Sequence, residues 1–121
     1  TSYHYLPPSR SLSASPRPTQ ALLGTLAAHG LPHQAVTSWT TDAIYRETAA
    51  RRAARLAEGC SVVEMEAAAV SAVAQCRGVE LGQMVYGGDL VVPEGWDGRD
   101  WVRRADIRRN LFDLAVEACQ A

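Results

Sequence analysis

Glu64 and Glu66 stand two residues apart, where the apolar run Val62-Val63 gives way to the small-residue run Ala67-Ala68-Ala69. On an extended backbone such a pair points to one side. Two like charges on an apolar segment cost free energy unless donors meet them. A sugar diol is one such donor set, because a carboxylate can accept from both of its hydroxyls. Glutamates at a helix start are also rewarded by the dipole alone, by about 0.3–1 kcal/mol. The tripeptide Glu64-Met65-Glu66 therefore carries two readings, ribose recognition and helix initiation. Asp89 follows Gly87-Gly88. Cleavage of a purine N-glycosidic bond leaves negative charge on the base, and a carboxylic acid placed there can protonate the ring N7. The sugar meanwhile becomes cationic, as in other glycoside chemistry. The competing reading of Asp89 is an ordinary turn residue after two glycines.

The elements that position these groups are legible as alternating runs. Thr1 to Leu6 reads as a strand ended by Pro7-Pro8. A helix is expected from about Ser15 to Gly30, with Leu22, Leu23 and Leu26 on one face. His33 to Thr40 is a second strand. A helix over about Arg46 to Glu58 carries Arg51, Arg52 and Arg55 on a solvated face, and Gly59 ends it. Cys60 to Met65 is a short apolar strand. Ala67 to Cys76 has few charges, reads as a well-buried helix and is closed by Gly78. Val79 to Tyr86 is a strand, Leu90 to Gly98 a loop, and a last helix capped by Asp97 or Asp100 runs to Ala118. Such alternation predicts an α/β fold with a mostly parallel sheet flanked by helices, within a single domain over residues 1–121. Ligands then bind beyond the carboxyl ends of the strands.

Bulk properties bound the function from outside. The chain has 121 residues, 47% of them hydrophobic, which is enough for one globular core. A net charge of −1 offers no generic surface for nucleic acid or anionic membrane, and every cation is Arg rather than Lys. No apolar run approaches the roughly 20 residues that span a bilayer, so no membrane role is expected. Three cysteines without metal-ligand spacing fit packing residues in a reducing cytoplasm. His29 and His33 have no matching metal-ligand partners. The first residue is Thr1, so either an initiator Met has been removed or the chain begins inside a longer product.

The run Val63-Glu64-Met65-Glu66-Ala67-Ala68 resembles the ribose-binding segment of the nucleoside phosphorylase family, which includes purine nucleoside and uridine phosphorylases and related nucleosidases. In that family the Met and second Glu contact ribose; Met65 and Glu66 match them, and Glu64 matches the flanking Glu. Gly82-Gln83-Met84-Val85-Tyr86-Gly87-Gly88-Asp89 is similar to the family's penultimate strand, whose terminal Asp in purine-cleaving members is the acid. The run Glu94-Gly95-Trp96-Asp97-Gly98-Arg99-Asp100-Trp101 also looks like family members. In Thr40-Thr41-Asp42-Ala43-Ile44-Tyr45-Arg46-Glu47-Thr48 the comparable family loop carries the residue that packs on the base, with Ile44 where a Phe is common and Tyr45 keeping an aromatic. The uracil-reading Gln and Arg of uridine phosphorylases would fall near Thr48 and Ala50, and neither matches. The resemblance therefore implies a purine nucleoside rather than uridine.

Thr1 to Pro8 resembles a strand from the middle of a phosphorylase, with His4 read as a core histidine. An N-terminal Thr can also act as a nucleophile, but nothing else in the sequence points that way. The likeness corresponds to about the second half of the family's chain. The phosphate-holding Gly-rich turn and arginines belong to the first half. The resemblance implies no metal or organic cofactor, with phosphate as co-substrate. It leads to the expectation of a homo-oligomer or a separate chain bearing the N-terminal half, which would cover the exposed sheet edge. Two further roles stay open beside the enzyme: a non-catalytic nucleoside-binding module, and a structural subunit that completes another protein's sheet.

Overall fold

The computed structural model describes residues 2–121. Four α-helices and two small sheets form a mixed α/β fold, as the alternating pattern predicts. The chain folds as two compact units. One holds the residues up to Ser15 together with Gln34–Leu81; the other holds Pro16–His33 and Gly82–Ala121.

The first unit is built on a β-α-β arrangement. Strand β1 (Thr37–Thr40) pairs in parallel with β2 (Cys60–Glu64). Trp39 lies opposite Val63 and Thr40 opposite Glu64, with an irregularity between Thr37 and Ser38. Between the strands run a 3-10 turn (Ile44–Arg46) and helix α1 (Ala49–Ala57). Thr48, not Arg46, starts that helix: its hydroxyl accepts from the Arg51 amide at 3.4 Å, so the arginine-rich segment begins three residues later than its composition suggests. Helix α2 (Ala67–Arg77) follows β2 and packs on β1. It ends at Gly78, whose φ of +66° supplies the left-handed cap.

Three expectations for this unit and the segment that leaves it change. Thr1 lies outside the described residues, and Ser2–His4 form a 3-10 turn rather than a strand. The amides of Tyr5 and Leu6 both donate to the Ser2 carbonyl at 3.0 Å, and a backbone closed on itself cannot join a ladder. The run from Val79 to Tyr86 forms no strand either. At Leu81 its amide donates to Ser15 Oγ at 2.9 Å, and its carbonyl accepts from the Ser15 amide at 3.2 Å. Apolar composition alone does not make a strand when no continuous edge lies beside it. Helix α2 is less buried than its lack of charge implies: Ala72 and Ala74 are covered, whereas Val70 and Val73 are exposed.

The second unit pairs helix α3 (Pro16–Ala28) with α4 (Ala105–Ala118). Thr25, Leu114 and Ala118 are its buried residues. His29 Nε2 meets Glu117 Oε2 at 2.9 Å beside this packing. Gly82 passes against the start of α3 so closely that a Cβ there would lie 2.9 Å from Leu22 Cδ1 and 3.0 Å from the Pro18 carbonyl carbon.

Residues 90–97, expected as loop, form an antiparallel ribbon of β3 (Leu90–Val92) and β4 (Gly95–Asp97). Its strands are three residues each, too short for alternation to show in the sequence. Asp97 and Asp100 cap no helix in the expected way. The Asp97 carboxylate accepts from the Arg99 amide at 3.0 Å, and Asp100 has a φ of +56° without a side-chain cap. A 3-10 turn (Trp101–Arg103) then precedes α4.

Candidate functional site

Strand β2 delivers Glu64 to its carboxyl end, the place where ligands gather in parallel sheets. The Glu64 carboxylate is engaged at both oxygens. Oε1 accepts from the hydroxyl of Thr40, its register partner on β1. Oε2 accepts from the amides of Glu66 at 2.8 Å and Ala67 at 2.5 Å. These amides open α2, where unpaired N–H groups and the helix dipole favour an anion. Thr40 Oγ1 also accepts from the Ala68 amide at 3.1 Å. In the main chain, the Thr41 amide donates to the Glu64 carbonyl at 2.8 Å. Glu64 thus satisfies the helix start from the strand that precedes it.

The backbone bends at Met65 and Glu66. Glu66 occupies the N-cap position with φ −126° and ψ −26°, so extended alternation stops at Glu64. The like-charge conflict expected on an extended segment is thereby removed: one carboxylate binds amides and the other turns to solvent. The Glu66 side chain is exposed and caps no amide of its own helix. Met65 beside it is 44% exposed. A charged acceptor and an apolar surface therefore stand together on one bend, which suits a ligand with hydroxyls on one edge and a hydrocarbon face.

Ile44 and Tyr45 lie on the 3-10 turn after β1, in the same unit as this bend. Both are exposed, Tyr45 at 96%. Thr41 is buried and its hydroxyl accepts from the Ala43 amide at 3.2 Å, which fixes the approach to that turn.

Asp89 belongs to the second unit, directly before β3. Its Oδ2 accepts from the indole Nε1–H of Trp96 on β4 at 2.6 Å. Of the two preceding glycines, Gly88 has a packing reason: a Cβ there would lie 3.2 Å from the Trp101 Cβ. Gly87 has open space around it. The Tyr86 hydroxyl reaches the Trp101 carbonyl at 3.5 Å.

Other residues take plainer roles. His4 is exposed on its turn rather than held in a core. His33 Nδ1 contacts the Leu31 carbonyl at 2.7 Å. Cys76 and Cys119 are exposed and Cys60 is half-buried, so the cysteines are not the core packing residues their spacing suggests. Among the described residues no group of three His, Cys, Asp or Glu side chains could hold a metal ion. Arg55 departs from the solvated face read for its helix. Its guanidinium lies over the Trp39 ring at 5.7 Å and pairs with Glu58 at 2.5 Å. Arg10 also pairs with Glu58, and the two guanidiniums hold the Glu58 carboxyl below its usual range.

A concavity of about 470 Å³ is lined by Gln34, Ala35, Val36, Thr37, Gly59 and Ser61. It lies at the amino-terminal ends of β1 and β2, opposite the end that carries Glu64, and no charged side chain lines it. Sequence reasoning set Thr40 at the head of the loop run that carries Ile44 and Tyr45 but missed its contact with Glu64.

Among the described residues no helix is long and apolar enough to cross a membrane. No curated protein and no solved structure matches the chain significantly. A family model described as the phosphorylase superfamily matches residues 1–117, spanning both units and every candidate site residue, and the chain belongs to that superfamily.

Proposed function

We propose that the chain contributes to phosphorolysis of a purine nucleoside, with Glu66 and Met65 holding the ribose. The observation that carries this is the division of labour at the end of β2. Glu64 is bound to amides of the helix start, while Glu66 and Met65 are presented to solvent on the adjacent bend. In this reading Glu64 supports the ribose contact by fixing the bend. Glu66 accepts hydrogen bonds from the 2′- and 3′-hydroxyls, and Met65 lies along the sugar. Ile44 and Tyr45 line the base. The absence of the uracil-reading pair at Thr48 and Ala50 favours a purine.

The chemistry is displacement at C1′. An oxygen of phosphate forms a bond to C1′ as the bond from C1′ to N9 breaks, and the electron pair passes into the purine. Asp89 in its acid form gives its proton to N7, which yields the neutral base and ribose 1-phosphate. General acid catalysis of this kind contributes about 10²–10⁴-fold. Positioned phosphate supplies much of the remaining acceleration. We assign the phosphate cradle to residues outside this sequence, which has no Gly-rich phosphate turn.

Calorimetry with inosine, adenosine and uridine tests the binding half. The purine nucleosides are expected to bind more tightly than uridine, and Glu66→Ala is expected to abolish the preference for a ribose diol. Intact nucleoside binding in Glu66→Ala would sink the ribose assignment. Phosphorolysis of inosine, followed by release of hypoxanthine, tests the catalytic half. Binding without turnover in every assembly of the chain would favour a nucleoside-binding module.

A further inference from the structure

We infer that Thr40 is a positioning residue for the ribose contact, acting through Glu64; this rests on the reading of Met65 and Glu66 given above. Thr40 ends β1 and Glu64 ends β2, and the two are register partners. The Thr40 hydroxyl uses both of its capacities. It donates to Glu64 Oε1 and accepts from the Ala68 amide at 3.1 Å. The other Glu64 oxygen accepts from the Glu66 and Ala67 amides. One hydroxyl and one carboxylate therefore hold three successive amides, those of Glu66, Ala67 and Ala68.

These amides set where Glu66 stands. Its N–H is tied to Glu64, and its carbonyl accepts from the Val70 amide at 3.0 Å as α2 begins. The Glu66 side chain has no cap bond of its own, so its position follows from its backbone. A carboxylate that must meet two hydroxyls at once needs that backbone held to within a fraction of an ångström. Without the Thr40 hydroxyl, the Glu64 carboxylate loses its link to β1 and the Ala68 amide loses its acceptor. The carboxylate can then rotate away from the Glu66 amide. The bend remains, but its placement relative to β1, and hence to Ile44 and Tyr45, is no longer fixed. Valine in place of Thr40 keeps the shape and removes the hydroxyl; serine keeps the hydroxyl.

The test compares inosine with 2′,3′-dideoxyinosine, which has no diol, by calorimetry on the full chain. The unaltered chain is expected to favour inosine by about tenfold or more, the size expected from hydrogen bonds to a charged acceptor. Thr40→Val is expected to bring that ratio close to one while binding of the dideoxy ligand stays the same. Thr40→Ser is expected to retain the ratio. Equal affinity of the unaltered chain for both ligands overturns the ribose reading and this inference with it. Discrimination that survives Thr40→Val overturns the inference alone. Loss in both variants assigns the effect to strand packing and also overturns it. A measurement on the unaltered chain covers a Thr40→Val protein that does not fold. Inosine, but not the dideoxy ligand, should slow amide exchange at Ala67 and Ala68 by about threefold or more, as expected when local opening is coupled to binding. Unchanged exchange under saturating inosine overturns the coupling.

Discussion

The indole Nε1–H of Trp96 donates to Oδ2 of Asp89 at 2.6 Å, tying the residue before β3 to the middle of β4. The bond leaves the other carboxylate oxygen available. A general acid needs one oxygen to carry the proton and a fixed direction in which to give it. Trp96 is 65% exposed, so the indole is held here by the ribbon and by this bond more than by burial.

Asp89→Asn in an assembly that turns over a purine nucleoside is expected to lower kcat by about 10²–10⁴-fold. Trp96→Phe keeps an aromatic ring and removes the donor. It is expected to lower kcat by about tenfold, the worth of one hydrogen bond to a charged group. Saturation kinetics in nucleoside and phosphate would show both effects. A Trp96→Phe enzyme with full kcat beside a crippled Asp89→Asn would mean that the indole merely closes the ribbon.

Gly82→Ala is expected to destabilise the second unit by about 1–3 kcal/mol through overpacking. The added Cβ would meet both Leu22 Cδ1 at 2.9 Å and the Pro18 carbonyl carbon at 3.0 Å. A leucine tip can rotate away, but a helix backbone cannot. Leu22→Ala in the Gly82→Ala background should therefore relieve only part of the clash. Urea melts of the single and double variants would show this as a positive but incomplete coupling. No loss of stability in Gly82→Ala would mean that the segment at Gly82 shifts freely.

Gly78→Ala isolates a different property of glycine. Its φ is +66° and nothing lies within 4 Å of an added Cβ. The cost is then conformational alone, about 1 kcal/mol. Asparagine, which tolerates the left-handed region, should cost less than alanine. Thermal unfolding of Gly78→Ala and Gly78→Asn would give the order; an alanine variant as stable as the parent would contradict the cap.

Those two glycines also show what the sequence could reveal. Gly78 was legible because a helix stop is local: an apolar helical run followed by one glycine is enough. Gly82 was not, because its need comes from Pro18 and Leu22, more than fifty residues earlier. The same boundary runs through the candidate site. The join between strand and helix was foreseen, but Glu64 and Glu66 were read on an extended backbone, and the bend at Met65 and Glu66 parts them. The hydroxyl that steadies it belongs to Thr40, brought beside Glu64 by parallel pairing. Residues 79–86 have the composition of a strand, but a ladder needs an adjacent edge, and composition carries no record of one. The β3–β4 ribbon shows the converse, a pairing of six residues too short to leave a periodic trace.

Glu58 makes the acid limb of stability testable. Its carboxyl is held below the ordinary glutamate value first by the hydrogen bond from Arg55; desolvation opposes it as the next largest effect, and Arg10 adds to the lowering. A carboxyl whose folded pKa is depressed stabilises the fold above its unfolded pKa, and that contribution is lost as pH falls through the folded value. The pair geometry is exposed, so salt should screen it. Glu58→Gln is therefore expected to flatten the melting temperature's fall on the acid side of the ordinary glutamate pKa, leaving its shape near neutrality unchanged. It should also remove part of the salt dependence at pH 7. Arg55→Lys separates the pair from its neighbour. The ammonium can still meet Glu58 but cannot lie flat over Trp39, 5.7 Å from the present guanidinium. An Arg55→Lys chain that keeps the acid limb yet melts earlier at pH 7 would place the stacking and the ion pair on separate footings. One that loses both together would make Arg55 a single coupled support.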